Sequence, residues 1–95
     1  MSIRNAKRKG SRNELRSLAL LEAEGYSVTK SGGSLGCWDL IGIRKQDCVG
    51  CQVKTRDWPS REEMEVLRSF EAPDNFRKLV HRWLDGKKIP DQKEL

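Results

Sequence analysis

Four polar side chains, Glu14, Asp39, Gln52 and Lys54, carry the chemistry this sequence offers. Asp39 stands inside the apolar run Cys37 to Ile43, where it is the only charged residue. A buried carboxylate there needs a partner, so a functional role explains it better than a turn or a sheet edge does. Gln52 and Lys54 alternate along the next segment, Cys48 to Lys54. Residues two apart on a strand share a face, and a tight hairpin between the segments sets Asp39 beside them. Oxygen donors next to a lysine suit a hard divalent cation such as Mg2+. Such a cation stabilises charge on a scissile phosphate and lowers the pKa of an attacking water. Lys54 would orient that water or stabilise the transition state. Each residue also has a plainer explanation. Glu14 can be half of a helix cap, and Gln52 and Lys54 the solvent face of a strand. Their coincidence with Asp39 at hairpin distance favours a site.

The elements that must position these groups follow from patterning. Ser11 with Glu14 forms an S-x-x-E capping box. Leu15, Leu18, Ala19 and Leu21 then recur at helical spacing, and Gly25 is a C-cap, which predicts a helix over residues 12–24. Strands are expected at 26–30, 37–43 and 48–54, the last two joined by a polar turn at 44–47 into an antiparallel hairpin. Residues 31–36 are a Gly-rich loop. Pro59 or Ser60 starts a second helix with Met64, Leu67 and Phe70 as its apolar face. Residues 77–84 read as a fourth strand ended by Asp85-Gly86. The polar tail has Ile89 and Pro90 packing back. The order is α-β-β-β-α-β, a single α/β domain over residues 1–95 with a central mixed sheet flanked by helices.

Composition bounds the rest. Of 95 residues, 36% are hydrophobic and 35% charged, so the core is thin and dimerisation is a plausible source of further burial. No apolar run approaches the ~20 residues that cross a bilayer, and the basic start lacks the apolar stretch of a signal peptide. Three cysteines are an odd number, against a disulfide framework, so a reduced cytoplasmic protein is expected. The net charge of +5 suits a polyanionic partner. Lys7, Arg8 and Lys9 lie in a basic stretch, residues 1–10, which reads as a flexible arm. With Arg12 and Arg56 they would rim the site and contact phosphates rather than bases. No Walker A, Gly-x-Gly-x-x-Gly or helix-turn-helix signature points to another nucleic-acid mode. Cys48-Val-Gly-Cys51, with Cys37 and His81, has the makings of a zinc site. A CxxC within a strand splits its thiols between faces, however, so buried free thiols are the better explanation. His81 is a packed or exposed strand residue by default. Trp38 and Trp83 read as core or interface, and Trp58 as the best stacking or dimer candidate.

From Lys9 to Thr55 the chain resembles the archaeal Holliday-junction resolvases and related small nucleases of the PD-(D/E)XK superfamily. The residues that carry the likeness are Lys9-Gly10-Ser11 through Glu14-Leu15, Glu24-Gly25-Tyr26 with Val28, Ser31-Gly32-Gly33-Ser34, Asp39-Leu40-Ile41 and Gln52-Val53-Lys54-Thr55. The resemblance implies a restriction-endonuclease-like fold and a metal-dependent endonuclease acting on branched DNA as a homodimer. It makes Asp39 and Gln52 metal ligands and Glu14 a ligand directly or through water. Lys54 becomes the catalytic lysine and Ser34 a hydroxyl near the scissile phosphate. The family usually carries Glu where this chain has Gln52. The amide removes one negative charge, which weakens metal affinity and favours Mn2+ over Mg2+, or leaves a module that binds junctions without cutting them.

Overall fold

The structure, a computed structural model, describes residues 3–31 and 36–95, with side chains from residue 10 onward. Helix α1 spans Ile3–Ala23 and begins nine residues before the expected start. Ala, Lys and Arg are strong helix formers, so the basic stretch continues the helix instead of forming an arm. Ser11 consequently lies inside α1, and the S-x-x-E pattern at Ser11 and Glu14 is not an N-terminal cap. The other end is as expected. Gly25 takes φ 101°, and its N–H donates to the Glu22 carbonyl at 2.9 Å.

One five-stranded sheet follows, in spatial order β1-β2-β3-β4-β5. The strands are β1 Ser27–Lys30, β2 Leu40–Ile43, β3 Cys48–Thr55, β4 Phe76–Trp83 and β5 Asp91–Glu94. The turn at 44–47 closes an antiparallel β2–β3 hairpin, with Leu40 opposite Cys51. Helix α2, Arg61–Ser69, connects β3 to β4, which pair in parallel with Lys54 opposite Arg82. A parallel pair needs such a crossover. Helix α2 carries a complete capping box. Ser60 Oγ accepts from the Glu63 N–H, and Glu63 Oε1 accepts from the Ser60 N–H. The fifth strand departs from expectation. Asp91–Glu94 pairs antiparallel with β4 and is exposed throughout, and Ile89 does not pack back but stands 68% exposed.

The sheet separates two cores. Leu21 of α1 packs with Tyr26, Leu40, Val49, Cys51 and Leu79 on one face. On the other face Met64 and Leu67 of α2 pack with Trp38 and Val80, and Phe70 and Phe76 close over them. Met64 and Phe70 therefore line the sheet-facing side of α2. Val66 is the exposed apolar residue of that helix. Gly50 lets the second core close, since a Cβ there would stand 2.5 Å from Phe76 Cζ and 2.7 Å from Trp38 Cδ2. The thiols are divided by the same sheet. Cys51 is buried in the α1 core, where burial raises its pKa strongly, while Cys37 packs against the α2 core. His81 lies on the α1 side, bonded to Ser17, so these residues do not converge on a zinc ion.

Candidate active site

Strand alternation decides which side chains meet. Val49, Cys51 and Val53 belong to the α1 face, which turns Gln52 and Lys54 toward α2. On the partner strand Leu40 faces α1 and Ile41 faces α2, and Asp39 stands at the bend just before Leu40. Asp39 extends the ladder one residue past β2. Its N–H donates to the Cys51 carbonyl at 3.0 Å, and its own carbonyl accepts from Ser31 N–H at 3.0 Å. Both contacts fix the carboxylate beside β3.

The carboxylate is half buried. Asp39 Oδ2 accepts from the Val53 N–H at 2.7 Å. Burial holds its pKa above the ordinary carboxylate range, while the Val53 donor and the charge of Lys54 pull it back. Gln52 reaches across the hairpin, and its Nε2 donates to the Cys37 carbonyl at 3.4 Å. Its Oε1 is buried with no hydrogen-bond partner. An orphaned buried carbonyl costs roughly 1–3 kcal/mol, and carbonyl and carboxylate oxygens are donors that suit a hard cation. Asp39 and Gln52 therefore fit a divalent metal. Among the described residues no group of three or more His, Cys, Asp and Glu side chains is gathered to hold one.

Lys54 stands at the same end of β3, with Nζ 3.6 Å from Glu63 Oε2 at the start of α2. Glu14 is placed differently. It forms an ion pair with Lys30 at 3.7 Å, and Lys30 sits opposite Leu40, beside the Ser31 that bonds Asp39. It is thus one residue removed from the Asp39 ladder, without a recorded contact to Asp39, Gln52 or Lys54. Ser34 lies outside the described residues, as do the side chains of Lys7, Arg8 and Lys9.

The two remaining basic candidates flank β3. Arg12 is exposed and lines a small open cleft of about 90 Å³ with Asn13, Arg16 and Trp83. The Arg16 guanidinium stacks 3.9 Å from the centre of a Trp83 ring. Asn13 ties this helix to the end of β3 through Thr55 Oγ1 at 2.9 Å. Arg56 is exposed and is the non-glycine residue with positive φ, 74°, among the described residues. Left-handed backbone at an arginine is a strained choice of the kind found at functional sites. Trp58 is not a bare platform. It is half buried against the α2 core, with Arg82 4.6 Å and Lys93 4.5 Å from its ring centre.

Comparison with known proteins bears on this arrangement. The chain is 40% identical over 72 residues to the crossover junction endodeoxyribonuclease Hjc of Methanocaldococcus jannaschii, covering 72% of this chain and 53% of that protein. It superposes on the structure of Archaeoglobus fulgidus Hjc, a Holliday junction resolvase from an archaeal hyperthermophile, with a TM-score of 0.67. The chain is similar to Hjc in sequence and shares its fold. That superposition covers 88% of this chain and 72% of the other at 22% identity. The chain spans about half the length of the curated Hjc it matches. No protein-family model matches it. The mixed sheet with one helix on each face is as expected from the sequence, and β5 is one strand more than that expectation.

Two residues of this site escaped sequence reasoning. Glu63 was legible as an acidic residue in the first turn of α2, but its contact with Lys54 depends on how the crossover folds back. Arg16 follows Arg12 by one helical turn, a spacing that places both on one side of α1.

Proposed function

We propose that the chain is a metal-dependent endonuclease that hydrolyses phosphodiester bonds in branched DNA. The observation that carries this reading is that the half-buried Asp39 carboxylate bonds the Val53 N–H, on the strand between the orphaned Gln52 Oε1 and Lys54. Similarity to Hjc supports the substrate class. Asp39 and Gln52 would hold Mg2+ or Mn2+, with Glu14 assisting from the Lys30 side. When bound, such a cation supplies a Lewis acid that draws charge off the phosphate and eases ionisation of the attacking water. Asp39 contributes the negative charge of the donor set, and the Val53 N–H fixes its rotamer. Lys54 offers an ammonium to the phosphate oxygens or to the water that attacks them.

Arg12 and Arg56, with Lys7, Arg8, Lys9 and Ser34, would carry the DNA backbone to this face. Such contacts are sensitive to salt and indifferent to sequence. A homodimer would set two sites to cut opposed strands of a junction. The site is intracellular in this reading, and among the described residues no helix is long and apolar enough to cross a membrane.

The test is a substrate panel of labelled four-way junction, fork, duplex and single strand, each in Mg2+, Mn2+ and EDTA. The proposal expects paired cuts near the branch that need metal and are strongest on the junction. The amide at position 52 favours one other reading, a nuclease-fold module that binds junctions and does not cut. Tight junction binding with no cleavage in either metal is its signature.

A further inference from the structure

Glu63 uses its two carboxylate oxygens for two different things. Oε1 accepts the Ser60 N–H at 2.8 Å and so closes the capping box that starts α2. Oε2 lies 3.6 Å from Lys54 Nζ. The capping bond fixes the side chain's rotamer, so Oε2 is presented to Lys54 from a rigid helix end instead of from a free surface carboxylate. The acid's pKa is lowered first by the Ser60 N–H and then by Lys54, so the carboxylate is charged at neutral pH. The same face carries Gln52, an amide at the position where the resemblance leads one to expect a carboxylate. Position 52 therefore offers Lys54 no charge, and Glu63 places one 3.6 Å from the ammonium.

We infer that Glu63 is the positioning residue for Lys54, holding its ammonium over the Asp39–Gln52 site and supplying the neighbouring negative charge that Gln52 does not. This rests on the proposed nuclease reading, in which Lys54 acts on the phosphate. Glu63 itself touches neither substrate nor metal. It shortens the list of directions a flexible four-carbon side chain can take, and its role is separable from capping. Gln at this position still completes an S-x-x-E/Q capping box, so Glu63→Gln removes the ion pair and leaves the helix start intact.

The experiment compares the unmodified chain with Glu63→Gln, Gln52→Glu and the double variant. It measures the melting temperature, the junction dissociation constant in EDTA, and the single-turnover cleavage rate in Mn2+. Glu63→Gln is expected to keep its melting temperature and to bind junctions as tightly or more tightly, since a negative charge near phosphates is gone. Its cleavage rate should fall about ten- to a hundredfold, the scale of a misplaced reacting group. The double variant should recover most of that rate, because the carboxylate is returned from the strand side. A cleavage rate unchanged in Glu63→Gln overturns the inference and leaves Glu63 as a cap alone. So does a loss of rate, binding and melting temperature together. A readout independent of DNA is NMR of lysine-labelled protein. The two Hε protons of Lys54 should be inequivalent in the unmodified chain and merge in Glu63→Gln. If the unmodified chain cuts nothing, the nuclease reading fails, while this NMR comparison still decides whether Glu63 orders Lys54.

Discussion

Gln52→Met should make the folded protein more stable and remove its response to metal. The variant keeps the length and unbranched shape of the side chain while deleting both polar atoms. In the native chain Oε1 is buried without a partner, a state worth roughly 1–3 kcal/mol of destabilisation. Against that gain stands the loss of one bond, Nε2 to the Cys37 carbonyl, which at 3.4 Å is at the weak end of hydrogen-bond geometry. A weak neutral bond contributes about 0.5 kcal/mol, so the balance is a stabilisation of about 1 kcal/mol. For a domain of this size that raises the melting temperature by about 4–8 °C. The assay is thermal unfolding followed by circular dichroism, first in EDTA and then with Mg2+ or Mn2+. A cation present at a hundred times its dissociation constant stabilises the unmodified chain by about 2.7 kcal/mol, and the Met variant should gain far less. If Gln52→Met instead loses more than about 1 kcal/mol in EDTA, the carbonyl is satisfied in the metal-free fold. Oε1 then does not await a cation.

Further expectations test the scaffold around the site. Ser17 Oγ accepts from Trp83 Nε1 and bonds His81 Nδ1, both at 2.8 Å, and His81 Nε2 meets Gln92 Oε1 at 2.9 Å. Ser17→Ala orphans two buried groups and should cost about 2–4 kcal/mol in denaturant unfolding. Burial lowers the His81 pKa despite the Gln92 bond, so the unfolded chain takes up the proton first as pH falls. Stability should therefore be full above pH ~6.5 and decline below it, by at most about 1.4 kcal/mol per pH unit, until the folded-state pKa is reached. His81→Gln should flatten that part of the profile. Gly50→Ala drives a Cβ into Phe76 and Trp38 and should cost about 1–3 kcal/mol by overpacking, read from the same unfolding curves. Arg56→Ala should weaken binding to every DNA structure alike. Its plot of log affinity against log salt should become shallower by about 0.9.

How much of this was readable from sequence depends on whether a residue's role is local. Asp39, Gln52 and Lys54 were legible because an acid inside an apolar strand and a polar pair at period two are local patterns. A four-residue turn fixed their register. The second helix was legible through Ser60 and its acidic first turn. Strand β5 was not, because Asp91–Glu94 is polar and exposed on every residue and has no alternation of its own. It is a strand only because β4 offers it an edge. The start of α1 was misplaced because Ser11-x-x-Glu14 imitates a cap within a helix that high-propensity basic residues extend backward to Ile3. Glu14 and Glu63 show the same limit from the other side. Each is an ordinary helix acid in sequence, and its partner, Lys30 or Lys54, is brought to it only by the way the helices lie on the sheet. His81 likewise looked like a plain strand residue, and its bonds to Ser17 and Gln92 join elements far apart in the chain.

Whether Asp39, Gln52 and Lys54 form one hydrolytic site is decided by single-turnover cleavage of an immobile four-way junction. The unmodified chain, Asp39→Asn and Lys54→Ala are compared in Mn2+, Mg2+ and EDTA, with junction binding measured alongside. A single site gives metal-dependent cuts by the unmodified chain, lost by about a hundredfold or more in both variants while binding persists. Cleavage that survives Asp39→Asn and Lys54→Ala at an undiminished rate, or that proceeds equally in EDTA, would contradict it.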